Sequence, residues 1–176
     1  MDFRFLFLQP HGRLAPVPFA RGLILLTGAM MVITILAAVV LPNVGVLQYA
    51  LVFPYVCLFA KRLHDAGLSG WLWLAFLAGF GFANLLLSAV LLPALSPDAF
   101  AIQAEVQKLM ESGGFNAAFQ ALEARASEYA RLSVVTTVTA FLLASALTGF
   151  AAFRMRSDPK PNRHGLPASG EADTFS

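Results

Sequence analysis

Charged residues are scarce in this chain of 176 residues, in which only 12% of positions are Asp, Glu, Lys or Arg. Soluble domains devote about one quarter of their residues to charge. Hydrophobic residues instead make up 58% of this sequence, and its mean hydropathy is +0.70. The low charge therefore excludes an ordinary soluble domain and predicts an integral membrane protein, whose surface meets lipid instead of water.

Cysteine is almost absent as well, since Cys57 is the single example. One thiol excludes a disulfide within the chain and a zinc site built from several cysteines. Long basic tracts interleaved with aromatic residues are also missing, which argues against a nucleic-acid partner. We therefore predict no metal ion, no cofactor and no bound nucleic acid.

Long uncharged runs predict an all-α membrane protein, a bundle of four transmembrane helices. A helix needs about 20 apolar residues to cross a hydrocarbon core about 30 Å thick. Four runs meet or approach that length, namely residues 22–41, 44–60, 71–92 and 132–153. The first run is longer than the apolar region of a signal peptide, so we interpret it as an uncleaved span.

Basic residues are concentrated on one side of this predicted bundle. Clusters of Lys and Arg precede the first span, separate the second from the third, and follow the fourth. Their members are Arg4, Arg13, Arg21, Lys61, Arg62, Arg154, Arg156, Lys160 and Arg163. Because cytoplasmic loops carry an excess of such residues, we predict that residues 1–21 and 154–176 are both cytoplasmic. The tail 154–176 is rich in Pro, Gly, Ser and charge, a composition that predicts disorder.

The segment 93–131 predicts an external amphipathic helical hairpin between spans 3 and 4. Ser96-Pro97 suits the cap and the first position of a helix. Apolar residues then recur on one helical face, Gly113-Gly114 interrupts the pattern, and a second apolar stripe follows. We expect the hairpin to cap the bundle by burying this stripe, and docking of a partner protein is the alternative.

The spans themselves contain no Asp, Glu, Lys, Arg or His, which argues against an ion-coupled transporter. Small residues recur every four positions in the third and fourth spans. The pattern comprises Ala75, Gly79 and Ala83 in the third span, and Ala140, Ala144, Ser145 and Gly149 in the fourth. Small residues let helix backbones approach closely, so we predict that these two helices touch.

One densely polar stretch lies between the second and third spans, from Lys61 to Trp73. Its basic residues suit the carbonyl end of a helix, Gly67 can adopt the left-handed conformation of a C-cap, and Ser69 can cap the next helix. Trp71 and Trp73 are placed to anchor that helix at the headgroup level. Local structure alone can therefore account for this loop.

The same stretch resembles the signature of a family known as domain of unknown function 805, which comprises small bacterial inner-membrane proteins. The likeness rests on the basic-basic-Leu-His-Asp run of residues 61–65 and on the Ser-Gly-Trp run of residues 69–71. Gly12-Arg13 and the Asn-Arg-His-Gly-Leu-Pro run of residues 162–167 are similar to its N-terminal and C-terminal motifs. The resemblance implies a bacterial inner-membrane location, and it implies no activity, since none is established for the family.

Three functions are compatible with these polar residues. Our leading hypothesis is a non-enzymatic structural or interaction component, either an accessory subunit with a protein partner or a homo-oligomer. The alternative is a protein that binds anionic membrane lipid headgroups or a small ligand at the loop of residues 61–73. The residues it would use are Arg13, Lys61, Arg62, His64, Asp65, Ser69, Trp71, Trp73, Asn162 and Arg163.

An enzyme that uses His64 and Asp65 is the third hypothesis. A carboxylate can tune a histidine near neutral pH, but no candidate nucleophile accompanies the pair except Ser69. We therefore assign no catalytic residue from the sequence.

Overall fold

The computed structural model describes residues 2–168, and α-helices account for most of them. Short 3₁₀ turns at Pro42–Val46 and Gly70–Leu72 lead into the third and fourth helices. The helices in chain order are α1 Phe3–Leu8, α2 Pro16–Val39, α3 Leu47–Asp65, α4 Trp73–Leu95, α5 Pro97–Ala124 and α6 Ala126–Arg154.

Four of these helices, α2, α3, α4 and α6, are long and apolar enough to cross a membrane, which confirms the predicted all-α protein with four spans. Both α2 and α6 begin six residues before their predicted starts, and α3 ends five residues beyond its predicted end. This helix continues past residue 60 to Asp65, so the polar residues of its last turn are helical and buried. They can remain on a buried helix because each finds a hydrogen-bond partner, as shown below.

The helix α6 packs against both α2 and α4. Ala140, Ala144 and Gly149 on α6 are buried, and a Cβ added at Gly149 would overlap the Leu23 side chain of α2. Small side chains on α6 thus allow its close approach to α2. The predicted contact between the third and fourth spans, α4 and α6, is confirmed, although a Cβ added at Gly79 of α4 would meet no neighbouring atom within 4 Å.

The hydrophobic core lies at the end of the bundle where the chain enters α2. Its buried members are Leu6, Leu14, Phe19, Leu26, Leu58 and Ala152. Phe19 packs edge to face against Phe59 of α3, with ring centroids 5.2 Å apart. This packing holds α1 and the following segment beneath the end of α3.

Between α4 and α6, the helix α5 is interrupted at Gly114, whose backbone has φ of +77°. This break falls within the predicted Gly113-Gly114 interruption. An ion pair of 2.8 Å between Arg125 Nη1 and Glu105 Oε2 joins the two sides of the break. The second apolar stripe is not buried as expected, since the side chains of Phe115 and Phe119 remain exposed.

Ser96 occupies the cap position of α5 as predicted, but its side chain does not cap that helix. Instead, the Thr136 hydroxyl of α6 donates a hydrogen bond of 2.9 Å to Ser96 Oγ. Both side chains are buried. The contact therefore fastens the start of α5 to α6.

Candidate functional site

Asp65, the last residue of α3, accepts hydrogen bonds from three directions while only 1% of it is exposed. Arg13 Nε donates to Oδ1 over 3.2 Å, and Arg62 Nη1 donates to Oδ2 over 2.7 Å. The Ser157 hydroxyl also donates to Oδ2, over 2.5 Å. We call these four residues the Asp65 cluster. Burial of a carboxylate is tolerated here because two guanidinium groups and a hydroxyl replace its water.

Arg62 also binds the end of α6. Its Nε donates to Ala152 O over 3.1 Å, its Nη2 donates to Phe153 O over 3.3 Å, and Nη2 also donates to Met155 O. The last carbonyls of a helix have no partner within that helix and carry partial negative charge. The Arg62 side chain is fully buried. It therefore supplies hydrogen-bond donors both to the last carbonyls of α6 and to the Asp65 carboxylate of α3.

Arg13 connects α3 to the C-terminal tail. Its Nη2 donates to Asp65 O over 3.2 Å and to Asp158 O, and its Nη1 donates to Lys160 O over 2.8 Å. The Asp158 amide in turn donates to Asp65 O over 2.8 Å. Arg13 thus brings the segment before α2 and the tail after α6 to the same end of α3.

The tail therefore differs from the predicted disordered segment through residue 168. Its Pro, Gly and polar residues build no core, but their backbone carbonyls and amides pair with Arg13, Arg62 and Asp65. Residues Asn162 and Gly165 exchange two backbone hydrogen bonds of 3.1 and 3.0 Å, which close a tight turn. The prediction for residues 169–176 lies outside the described residues.

The side chain of Lys61 bonds to α1 and not to α6 or the described part of the tail. Its ammonium group donates to Leu6 O over 2.9 Å and to Phe5 O, and lies 4.4 Å from the centre of the Phe5 ring. These carbonyls belong to the last turn of a six-residue helix. The fully buried charge of Lys61 is therefore used to hold α1 against α3.

His64 lies beside Asp65 but has different partners. Its Nδ1 is 3.1 Å from Gly12 O, and its ring stacks on His164 of the tail with centroids 3.7 Å apart and planes 8° apart. A carbonyl can only accept, so Nδ1 carries the proton. Asn162 Nδ2 donates to His64 O over 3.1 Å, which fixes the tail turn over the same ring.

Gly70 completes the surroundings of His64. A Cβ at this position would lie 2.7 Å from His64 Nε2, so a side chain here would displace the imidazole. Gly67, with φ of +74°, ends α3 in the left-handed conformation expected for its position. The glycines of the loop therefore let the chain turn tightly around the polar end of α3.

Several residues predicted for a shared site do come together: Arg13, Arg62, His64, Asp65 and Asn162 form one connected network, with Lys61 beside it. Arg163 reaches it only through a 3.0 Å bond from its Nε to His164 Nε2. Ser69 does not cap the next helix with its side chain. Trp71 is 75% exposed, and Trp73 lines a cavity between the helices, so neither belongs to the network.

Sequence reasoning missed two members of this network, Ser157 and Asp158. Asp158 Oδ1 accepts the Lys160 amide over 3.0 Å, and this bond together with Asn162 holds the pKa of Asp158 below its ordinary value. The sequence feature that could have indicated these two residues is the Ser-Asp-Pro run of residues 157–159. Such residues favour turns, in which the Ser or Asp side chain accepts hydrogen bonds from nearby backbone amides. That signal indicates a turn but does not say against which surface it packs.

The His64 and His164 stack predicts that docking of the tail depends on pH. Burial, followed by the charges of Arg163 and Arg13, lowers the pKa of His164 below its ordinary value of 6.5. The docked tail thus favours neutral His164, so docking is strongest above pH 6.5 and weakens as the pH falls through and below that value. The imidazole of His64 faces His164 across the stack, and His11 lies near the same pair of rings.

A spin label on Leu166→Cys, at an exposed position of the tail turn, would measure this effect. We expect the label to become more mobile between pH 7.5 and pH 5.5 (set roughly one unit to either side of an unperturbed histidine pKa). The matched variant His164→Phe keeps an aromatic ring on His64 but does not titrate, so its label should respond much less. An equal response in both proteins would exclude His164 as the cause.

Comparison with known families identifies a match over most of the chain. The family described as "Protein of unknown function (DUF805)" matches residues 5–166. This range contains Arg13, the whole loop of residues 61–73 and the tail turn that stacks on His64. Neither the curated proteins nor the solved structures contain a significant match to the chain.

Proposed function

As this chain belongs to the DUF805 family of proteins of unknown function, we propose that it is a non-enzymatic structural or interaction component of the bacterial inner membrane. The observation that carries this proposal is the Asp65 cluster. Both oxygens of Asp65 are engaged by two arginines and a serine, and the carboxylate is 1% exposed. Such a group holds chain segments together and is enclosed away from any substrate.

Catalysis by His64 and Asp65 finds less support. An acid and base pair requires that one group orient or charge the other and that a substrate reach them. Here His64 Nδ1 faces the Gly12 carbonyl, whereas Asp65 faces Arg13 and Arg62. The two neighbours thus serve different segments of the chain.

Recognition of anionic lipid by Lys61 and Arg62 also finds less support. A phosphate needs donors that it can reach. Both side chains are 0% exposed, and both donate to backbone carbonyls at the ends of α1 and α6. Arg163 of the tail turn, in contrast, is exposed and remains available to a headgroup.

The proposed function predicts that the protein does not act as a lone monomer. We expect native mass spectrometry of the full chain, extracted at low expression level in lipid particles, to give a complex with a second copy or with one stoichiometric protein. Asp65→Asn should dissociate it by loosening the cluster, whereas Glu111→Gln, at an exposed carboxylate, should leave it intact. A monomer in all three preparations would contradict the proposal. Retention of anionic phospholipid that Arg163→Ala abolishes would favour the lipid-binding alternative.

We also propose that both termini are cytoplasmic. The basic segments before α2, after α3 and after α6 carry the positive charge that favours the cytoplasmic side, and they pack together at one end of the bundle. A reporter enzyme fused after Ser176 should therefore be active only in a cytoplasmic assay, and one inserted at Gly113 only in an external assay. The same location for both reporters would refute this topology.

A further inference from the structure

A cavity of about 200 Å³ lies between α2, α3, α4 and α6, apart from the Asp65 cluster. It extends from Trp73, the first residue of α4, to Phe80, two turns further along that helix. Because the cavity is surrounded by spans and its lining is almost wholly apolar, a molecule enters it from the bilayer.

Six of the thirteen residues that line this cavity are aromatic. Three helices contribute them, and they are Tyr55, Phe59, Trp73, Phe76, Phe80 and Phe141. Aromatic rings pack with other flat rings in offset or edge-to-face arrangements, which are worth about 0.5–1.5 kcal/mol beyond burial alone. A saturated chain gains no such contribution, so the lining favours a flat ring as the occupant.

Ser145 of α6 gives the cavity a specific polar group. This residue is 6% exposed and lines the cavity, and its hydroxyl makes no hydrogen bond to any described residue. The other two hydroxyls of the lining do have partners: Tyr55 donates to Thr27 Oγ1 over 3.3 Å, and Thr148 donates to Ala144 O over 2.8 Å.

Every fully enclosed side-chain polar atom among the described residues has a partner. The Ser145 hydroxyl is therefore not sealed among protein atoms and faces the open volume. A polar group without a partner in hydrocarbon costs free energy, which a ligand carbonyl placed against Ser145 would recover.

Size then limits the ligand. An apolar cavity of about 150 Å³ holds one benzene molecule, so about 200 Å³ accommodates one six-membered ring with small substituents. The occupant is thus a lipid-soluble molecule with a flat ring that carries a carbonyl acceptor. We propose that this cavity binds the ring of a membrane quinone, with one quinone carbonyl accepting a hydrogen bond from Ser145.

The two tryptophans of the chain provide the test. Trp73 lines the cavity, whereas Trp71 is 75% exposed outside it. Trp71→Phe and Trp73→Phe therefore give proteins with one reporter inside and one outside. Each would be reconstituted in lipid nanodiscs and titrated with a benzoquinone that carries a decyl chain, a quencher of indole fluorescence.

We expect saturable quenching of Trp73 and only proportional, collisional quenching of Trp71. In the Trp71→Phe background, Ser145→Ala should raise the quinone concentration that gives half-maximal quenching about tenfold. This is the expected effect of losing one hydrogen bond. The matched change Ser133→Ala, at a buried serine of α6 outside the cavity, should not alter that concentration. The proposal would be overturned by proportional quenching of both tryptophans or by an unchanged half-maximal concentration in Ser145→Ala. It would also be overturned if decanol displaced the quinone equally well, which would favour an acyl chain as the occupant.

Discussion

Asp65→Asn is expected to lower the free energy of unfolding by about 3–5 kcal/mol, since removal of one partner from a buried ion pair leaves an uncompensated charge. The substitution preserves the size of the side chain but removes the negative charge that faces Arg13 and Arg62. The side chains of Arg13 and Arg62 are 2% and 0% exposed. Neither can regain water unless the tail or α6 moves. The amide would also offer a donor toward groups that are themselves donors.

The measurement is unfolding of the reconstituted protein by titration with sodium dodecyl sulfate, followed by tryptophan fluorescence. Glu111→Gln makes the same chemical change at an exposed carboxylate of α5 and should alter stability by less than about 0.5 kcal/mol. The tail label on Leu166→Cys should also become mobile in Asp65→Asn at neutral pH. Equal stability of the two variants would show that the Asp65 cluster contributes nothing to the fold.

Arg62→Lys is expected to cost about 2–4 kcal/mol although the charge is retained, because several buried acceptors lose their donor. Arg62 directs its three nitrogens to Asp65, to Ala152 O, and to Phe153 O and Met155 O. A guanidinium spans these acceptors with its fixed planar fork, whereas an ammonium is a single point. Lysine can therefore reach the carboxylate or the end of α6, but not both.

The control is the same change at an exposed residue, Arg154→Lys, at the end of α6. We expect no measurable change there in the detergent titration. Stability equal to the parent protein in Arg62→Lys would mean that charge alone matters at this position and that the bonds to α6 are dispensable. If Arg62→Lys lowered the free energy of unfolding as much as Arg62→Met does, the whole effect would come from the hydrogen bonds that only a guanidinium can make.

The positions of the spans could be predicted because the length of an apolar run is a property of consecutive residues. The four helices α2, α3, α4 and α6 confirm that prediction. The ends of these helices were predicted less accurately than their positions. The sequence pattern ended the second span at residue 60, whereas α3 runs on to Asp65, because its polar residues are stabilised by segments more than 50 residues away in sequence.

The residues of the candidate site were named from the sequence, but their roles were not. A basic pair beside tryptophan at the end of a span equally suits a lipid phosphate, a topology signal or an internal carbonyl. For Lys61 and Arg62, the acceptors turned out to be the last carbonyls of α1 and α6. No local pattern indicates that those carbonyls lie within reach.

The sequence by itself determined that four helices are long and apolar enough to cross a membrane and that the chain belongs to a family of unknown function, and it predicted that the basic segments share one side. Those conclusions follow from the scarcity of charge and from short motifs, both of which are local. Tertiary structure alone decided that four of the scarce charged residues are buried, namely Arg13, Lys61, Arg62 and Asp65. The reason is physical: Asp65 can be buried only where Arg13, Arg62 and Ser157 converge, and that convergence requires the packed bundle to bring three distant segments to one point.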